Sequence, residues 1–141
     1  MSLQERIAQL KEEEKIAKIK LETGKFYKAK VLSASLTTDK NDYETVEMKL
    51  EIIEEGAEGK KITKKFVIDE NNKSEIQSKI ALGQLTKLLE SFKLEINDEK
   101  SLVLALMEMK GKEVFVNVKY VADKKNPEIT YTNYTITKDA K

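Results

Sequence analysis

The chain has 141 residues, enough for one domain with its own hydrophobic core. It contains no cysteine, histidine or tryptophan, and 26 basic against 25 acidic residues give a net charge of +1. Without cysteine and histidine there are no disulfides, no thiolate nucleophiles and none of the commonest zinc ligands or general bases. We therefore expect a non-enzymatic protein without a metal or cofactor. The near-neutral charge permits nucleic-acid binding only if lysines gather on one face.

Residues 2–22 predict an N-terminal helix, because they contain no Gly or Pro and many strong helix formers. Apolar residues recur at heptad spacing, and Glu14 interrupts them: Leu3, Ile7, Leu10, Ala17 and Leu21. Two interpretations stay open, a coiled-coil oligomerisation segment or a helix that packs on its own domain or frays in solution. Gly24 ends this helix, so we divide the chain into a helical segment, 1–23, and a domain, 24–141.

Three strand patterns follow Gly24, over 26–36, 43–54 and 60–68. In each, apolar residues alternate with charged or polar ones, which is typical of half-buried strands. A short hairpin at 56–59 joins the second strand to the third. Lys64 falls at an inward position. If these strands are part of a barrel, we therefore expect the barrel to bend or open near Lys64.

A long helix is predicted after the third strand, because Ser74 and Gln77 form a capping pattern. Its apolar residues are predicted to form one stripe: Ile76, Ile80, Leu85, Leu88, Leu89 and Phe92. A shorter helix over 99–110 follows Asn97 and Asp98. Two further strands, 113–121 and 128–137, flank a turn that holds the only proline.

The order of these elements predicts a mainly β fold. A sandwich needs more strands, and alternating βα units are missing. We expect a five-stranded OB-fold barrel with a helix between strands 3 and 4, plus the N-terminal helix.

Several short words in the sequence resemble one family. They are "GKFYKAKVLSA", "ETVEMKLEII", the pattern Gly-Lys-Lys-Ile-x-x-x-Phe, "LGQLTKLLESFKLEI" and "LMEMKGKEVFVNV". Over 24–137 the chain resembles the small OB-fold single-stranded-DNA-binding proteins of phage replication and recombination modules. The N-terminal helix has no counterpart in that pattern, and the final residues lack the acidic tail that recruits partners in bacterial single-strand binders. The resemblance implies a protein that protects single strands in phage or mobile-element replication and recombination.

Non-specific single-strand binding needs lysines that track phosphates and aromatic rings that stack on bases. Strand alternation points six lysines and Phe115 away from the core, and Tyr43 follows the first loop, where OB barrels often contact ligand. The candidate nucleic-acid-binding residues are Lys28, Lys30, Tyr43, Lys49, Lys61, Lys65, Phe115 and Lys119.

Other interpretations of these residues stay open. Phe115 could lie under the N-terminal helix or a second subunit, Tyr43 could cap the barrel end, and the lysines of 60–65 could be a solvated hairpin end. Glutamates of strand 2 oppose phosphate binding unless they pair with lysines across strands: Glu44, Glu47 and Glu51. Asp39 and Asp42 suit a magnesium site or, more simply, an Asp-rich turn.

Five further aromatic residues are assigned by alternation. Tyr27, Phe66 and Tyr120 are expected in the core, while Tyr131 and Tyr134 have opposite orientations, so that one is buried and the other exposed.

Two functions remain as hypotheses. The first is single-stranded-DNA binding without covalent chemistry, and the second is a protein-interaction or assembly module, a homo-oligomer formed through the N-terminal helix. No 18-residue apolar stretch and no apolar signal core occur in the sequence, so we expect no membrane partner and a cytoplasmic location, in the host cell if the gene is phage-borne.

Overall fold

The computed structural model describes residues 2–71 and 74–139. Three helices and five strands are formed, in the order α1 (Leu3–Ala17), β1 (Phe26–Thr38), β2 (Glu44–Ile52), β3 (Lys61–Val67), α2 (Glu75–Ser91), α3 (Glu99–Met109), β4 (Glu113–Ala122) and β5 (Thr130–Thr137). Every predicted element is present, and most boundaries differ from the prediction by one or two residues. The sequence alternation that predicted the strands is therefore confirmed.

The five strands form one sheet in the order β3-β2-β1-β4-β5, and each neighbouring pair is antiparallel. Within the described residues β3 and β5 are the two edge strands, so the sheet is open rather than closed into a barrel. A register shift between Val31 and Ser33 marks a bulge in β1, where a strand bends and twists. The mainly β fold with helices between β3 and β4 is confirmed.

The hydrophobic core lies on one side of this sheet, under α2 and α3. Most inward residues of the three central strands are buried, and Val31, Leu50 and Val116 are fully buried. They meet Leu85 and Leu89 of α2 and the buried side of α3 in one continuous cluster. The opposite side of the sheet is therefore free of the helices between β3 and β4.

The predicted stripe on α2 is wrong in its first half. Ile76 and Ile80 are 72% and 55% exposed, whereas Leu85 and Leu89 are fully buried. At 100° per residue, Ile76 and Leu85 lie on opposite sides of a helix. The sequence pattern merged two apolar faces, of which only one is in the core.

The N-terminal helix is shorter than predicted, because it ends at Ala17 and not at residue 22. Leu21 leaves the predicted heptad seam and is buried in the core, only 2% exposed. Its carbonyl accepts a hydrogen bond from the hydroxyl of Tyr120 at 2.6 Å, and the N–H of Glu22 donates to the hydroxyl of Tyr27 at 2.7 Å. Burial of Leu21 thus outweighs the helix propensity of the segment.

In the described part of the chain, no helix has the length and apolar character that crossing a bilayer requires.

Candidate nucleic-acid interface

The side of the sheet away from the core is its outer face. Its residues follow from the strand registers, since directly opposite residues point the same way. One row across the sheet runs Lys61, Glu51, Lys30, Glu113 from β3 to β4. The next row places Lys28 beside Phe115, and Phe115 beside Thr137 of β5.

The structure places seven of the eight candidate residues on this outer face. All six candidate lysines are exposed, and Phe115 is half-buried. Lys28, Lys30 and Lys61 lie in neighbouring rows around Phe115, whereas Lys65 and Lys119 lie toward opposite ends of the sheet, five rows and roughly 30 Å apart along the strands. A single-stranded nucleic acid that contacts all of these lysines must cross the sheet diagonally.

Tyr43, the eighth candidate, lies in the turn between β1 and β2 and is half-buried. Its N–H donates to the carboxylate of Asp39 at 3.0 Å, and the N–H of Asn41 donates to the same oxygen at 2.8 Å. The Asp39 carboxylate therefore shapes the turn, as the simpler interpretation holds. Within 2–71 and 74–139, no group of three acidic side chains is placed to hold a metal ion.

The charges on the outer face alternate rather than accumulate. Glu47 lies opposite Lys65, and Glu51 lies opposite both Lys61 and Lys30. Two exposed ion pairs form, Lys28 Nζ to Glu113 at 3.5 Å and Lys49 Nζ to Glu47 at 3.7 Å. Such exposed pairs contribute little to stability, so their lysines remain free to exchange partners. Among the described strand residues of this face, six lysines against Glu47, Glu51 and Glu113 leave a net charge of +3.

Tyr131 is a candidate that sequence reasoning left unassigned. It pairs with Val121 and shares the outer face with Phe115 and Lys119, and it is 54% exposed. Its hydroxyl donates to the carboxylate of Asp123, the first residue of the β4–β5 loop, at 3.0 Å. This orientation follows from the register of β5 against β4, which the residues around Tyr131 do not give by themselves.

A cavity of about 400 Å³ lies between the two edge strands, beside α2. Lys64 and Phe66 of β3 line one side of it, and Tyr134 of β5 lines the other. The Lys64 ammonium lies 5.3 Å from the centre of the Phe66 ring, and burial lowers the pKa of Lys64. Burial raises the pKa of Tyr134, with a smaller contribution from Tyr120. The expected opening near Lys64 is thus present, and Tyr134 is the less exposed of the two tyrosines.

The three aromatic residues predicted for the core differ in burial. Tyr27 and Phe66 are buried, only 4% and 3% exposed, as expected. Tyr120 is half-buried at the edge of the core.

No model of a known protein family matches the chain, and no curated protein matches it.

Proposed function

We propose that the chain is an OB-fold protein that binds single-stranded DNA without sequence preference and without covalent chemistry. The strand order β3-β2-β1-β4-β5, with the helices inserted between β3 and β4, supports the OB assignment. OB folds are five-stranded and partly open, and they bind oligonucleotides on the face of strands 2 and 3 and on the flanking loops. An open edge between β3 and β5 is compatible with that description.

One observation carries the DNA-binding proposal. Six exposed lysines and an aromatic ring share one side of the sheet, while the helices α2 and α3 cover the other. The ring of Phe115 is flanked by Lys28 in the neighbouring strand, so a base stacked on it has an ammonium nearby for its phosphate. The proposed role is to protect single strands during phage or mobile-element replication and recombination.

The alternating glutamates limit the strength of binding. If the net +3 of the outer face measures the number of phosphates neutralised, log K should fall with log salt at a slope of about −2, since each neutralised phosphate of a single strand contributes about −0.7. Full use of all six lysines would give a slope of about −4. A shallow slope together with detectable binding is therefore the expected behaviour.

The first test is a fluorescence-anisotropy titration of labelled oligo-dT, about 15 nucleotides long to exceed most single-OB site sizes, at several salt concentrations. A duplex of the same length is the comparison. We expect binding to oligo-dT that weakens with salt and exceeds duplex binding. Equal weak binding to both, or no binding at low salt, would show that the proposal is wrong.

Two variants then locate the interface. Phe115→Ala should weaken binding by about 5- to 150-fold, the loss of one stacked base, while Phe115→Tyr keeps a ring and should bind nearly as the native chain does. The charge reversal Lys61→Glu with Lys65→Glu should weaken binding more than Lys100→Glu with Lys110→Glu, which changes the net charge equally on the side of α3. If both reversals weaken binding equally, attraction is non-local and the outer face is not the interface.

A further inference from the structure

The helix α1 stands away from the domain that follows it. Its contacts lie at its C-terminal end, where Lys60 Nζ donates to the carbonyl of Ala17 at 2.9 Å and the Ile16 side chain lies over Gly59. Residues 3–15 are all exposed. A helix of about 15 residues is marginal in water by itself, since most helix stability in proteins comes from packing. Packing against a partner surface would therefore stabilise this helix.

One side of α1 is apolar and uncovered. The α1 stripe is formed by Leu3, Ile7 and Leu10, which are 69%, 45% and 55% exposed. These residues occupy successive d, a and d positions of a heptad, and Glu14 takes the next a position. Arg6 and Glu13 flank the stripe along the same side, together with Gln9.

We propose that the α1 stripe pairs with the α1 stripe of a second copy of this chain, and that the two helices run antiparallel. The proposal does not depend on DNA binding.

The arrangement of charges determines the direction. In an antiparallel pair, a positions meet d positions, so that Ile7 faces Leu10 of the second copy. By symmetry, Leu10 also faces Ile7 of the second copy. The same register places Arg6 opposite Glu13 of the second copy, twice by symmetry. Glu14 then faces Leu3 at each end of the pair, where its carboxylate reaches water.

A parallel pair is less favourable. There Glu14 would face Glu14 of the second copy within the seam, and Arg6 would face Lys11, so that both contacts join like charges. Only Glu13 and Lys18 would attract. Charge complementarity therefore selects the antiparallel pair of two copies.

The pair should be weak. Each helix contributes only three apolar side chains, and association costs translational and rotational freedom, so we expect a Kd of roughly 10 µM to 1 mM. Two further groups of exposed apolar side chains among the described residues provide alternative partner surfaces. These are Ile76 with Ile80 on α2, and Val103, Leu104 and Met107 on α3.

The test is sedimentation equilibrium of the full chain at concentrations up to about 1 mM, a range that covers the expected Kd. The native chain should form dimers. Arg6→Glu or Glu13→Arg should each weaken dimerisation by about tenfold or more, because two attractive contacts become repulsive. Glu12→Arg, on the opposite side of the helix, is the control and should dimerise as the native chain does.

The charge exchange decides the direction. The double variant Arg6→Glu with Glu13→Arg should recover native dimerisation, and a mixture of the two single variants should form mixed dimers. A monomer at every concentration overturns the proposal. Dimerisation that is unchanged by Arg6→Glu and Glu13→Arg also overturns it. If Met107→Lys weakens those dimers, the surface that joins the two copies lies on α3.

Discussion

Tyrosine hydroxyls hold the segment that follows α1 against the sheet. Tyr120 donates to the carbonyl of Leu21, and Tyr27 accepts from the N–H of Glu22. The ammonium of Lys20 lies 4.8 Å from the centre of the Tyr120 ring, which adds a cation–π contact on the same segment. Together these contacts keep Leu21 in the core and set the point at which α1 departs.

Removal of the Tyr120 hydroxyl tests this anchor. Tyr120→Phe leaves the carbonyl of Leu21 without its hydrogen bond in a part-buried site, so the free energy of unfolding should fall by about 1 kcal/mol. Tyr131→Phe is the control, because its hydroxyl bonds Asp123 in an exposed site and its loss should cost less than about 0.5 kcal/mol. Urea unfolding followed by circular dichroism measures both. Equal losses in the two variants would contradict the anchor.

At the scale of a single element, α3 begins with a reciprocal cap formed by Asp98 and Ser101. The Asp98 carboxylate accepts from the N–H of Ser101 at 2.8 Å, and the Ser101 hydroxyl accepts from the N–H of Asp98 at 3.0 Å. The backbone hydrogen bond from Ser101 lowers the pKa of Asp98. The folded state thus favours the ionised carboxylate. This contribution to stability is present above the ordinary pKa of 3.8 and is lost as the pH falls through the lower pKa of the folded state.

The variant Asp98→Asn isolates that contribution, because asparagine caps a helix as well as aspartate does but carries no charge. We expect the native chain to have the higher melting temperature at pH 7 and to lose this advantage as the pH falls below about 4. Thermal unfolding of both chains at a series of pH values makes the comparison. An advantage that is constant with pH would show that the charge of Asp98 does not stabilise α3.

The strands and helices could be predicted from the sequence because their signals are local. Alternation in "ETVEMKLEI" identifies β2 and points Lys49 outward, and Ser74 marks the start of α2. Which apolar face a helix buries is not local. Ile76 and Leu85 are equally apolar, and only the packing of α2 against β3 shows which of them lies in the core.

The features of the candidate site likewise divide into those that follow from local sequence and those that depend on strand pairing. The outward orientation of the six lysines follows from alternation within single strands, and the structure agrees with it. The pairing of Glu51 with two lysines, and the exposure of Tyr131, depend on registers between strands. Those registers are fixed by the whole core, so the balance of charge on the outer face could not be read from the sequence.

At the scale of the whole molecule, β3 and β5 are the two strands whose pairing would close the sheet into a barrel. β3 and β5 run in the same direction, because four successive antiparallel pairings connect them across the sheet. A closed barrel would pair these two strands in parallel. In the structure the cavity beside α2 separates them, with the half-buried Lys64 between them. The unfavourable burial of an ammonium in a dry, closed seam favours the open form.

Backbone hydrogen bonds at both ends of β3 show which of its amides face the open edge. Ile68 donates to Glu44 at 3.0 Å, and Ile52 donates to Lys60 at 2.8 Å, so even-numbered residues pair with β2. Antiparallel ladders alternate, and the N–H groups of Thr63 and Lys65 therefore point to the edge.

Amide hydrogen exchange measured residue by residue by NMR distinguishes the two forms. In the open sheet, the amides of Thr63 and Lys65 should exchange at least about tenfold faster than those of Ile62 and Lys64, because only the N–H groups of the latter two point toward β2. The central strand β1, paired on both sides, should be the most protected and is the reference within the same spectrum. If Thr63 and Lys65 are protected as strongly as Ile62, the edges of β3 and β5 are joined and the barrel is closed in solution. Because both sets of amides lie in one short strand, a difference in overall stability between samples cannot imitate either result.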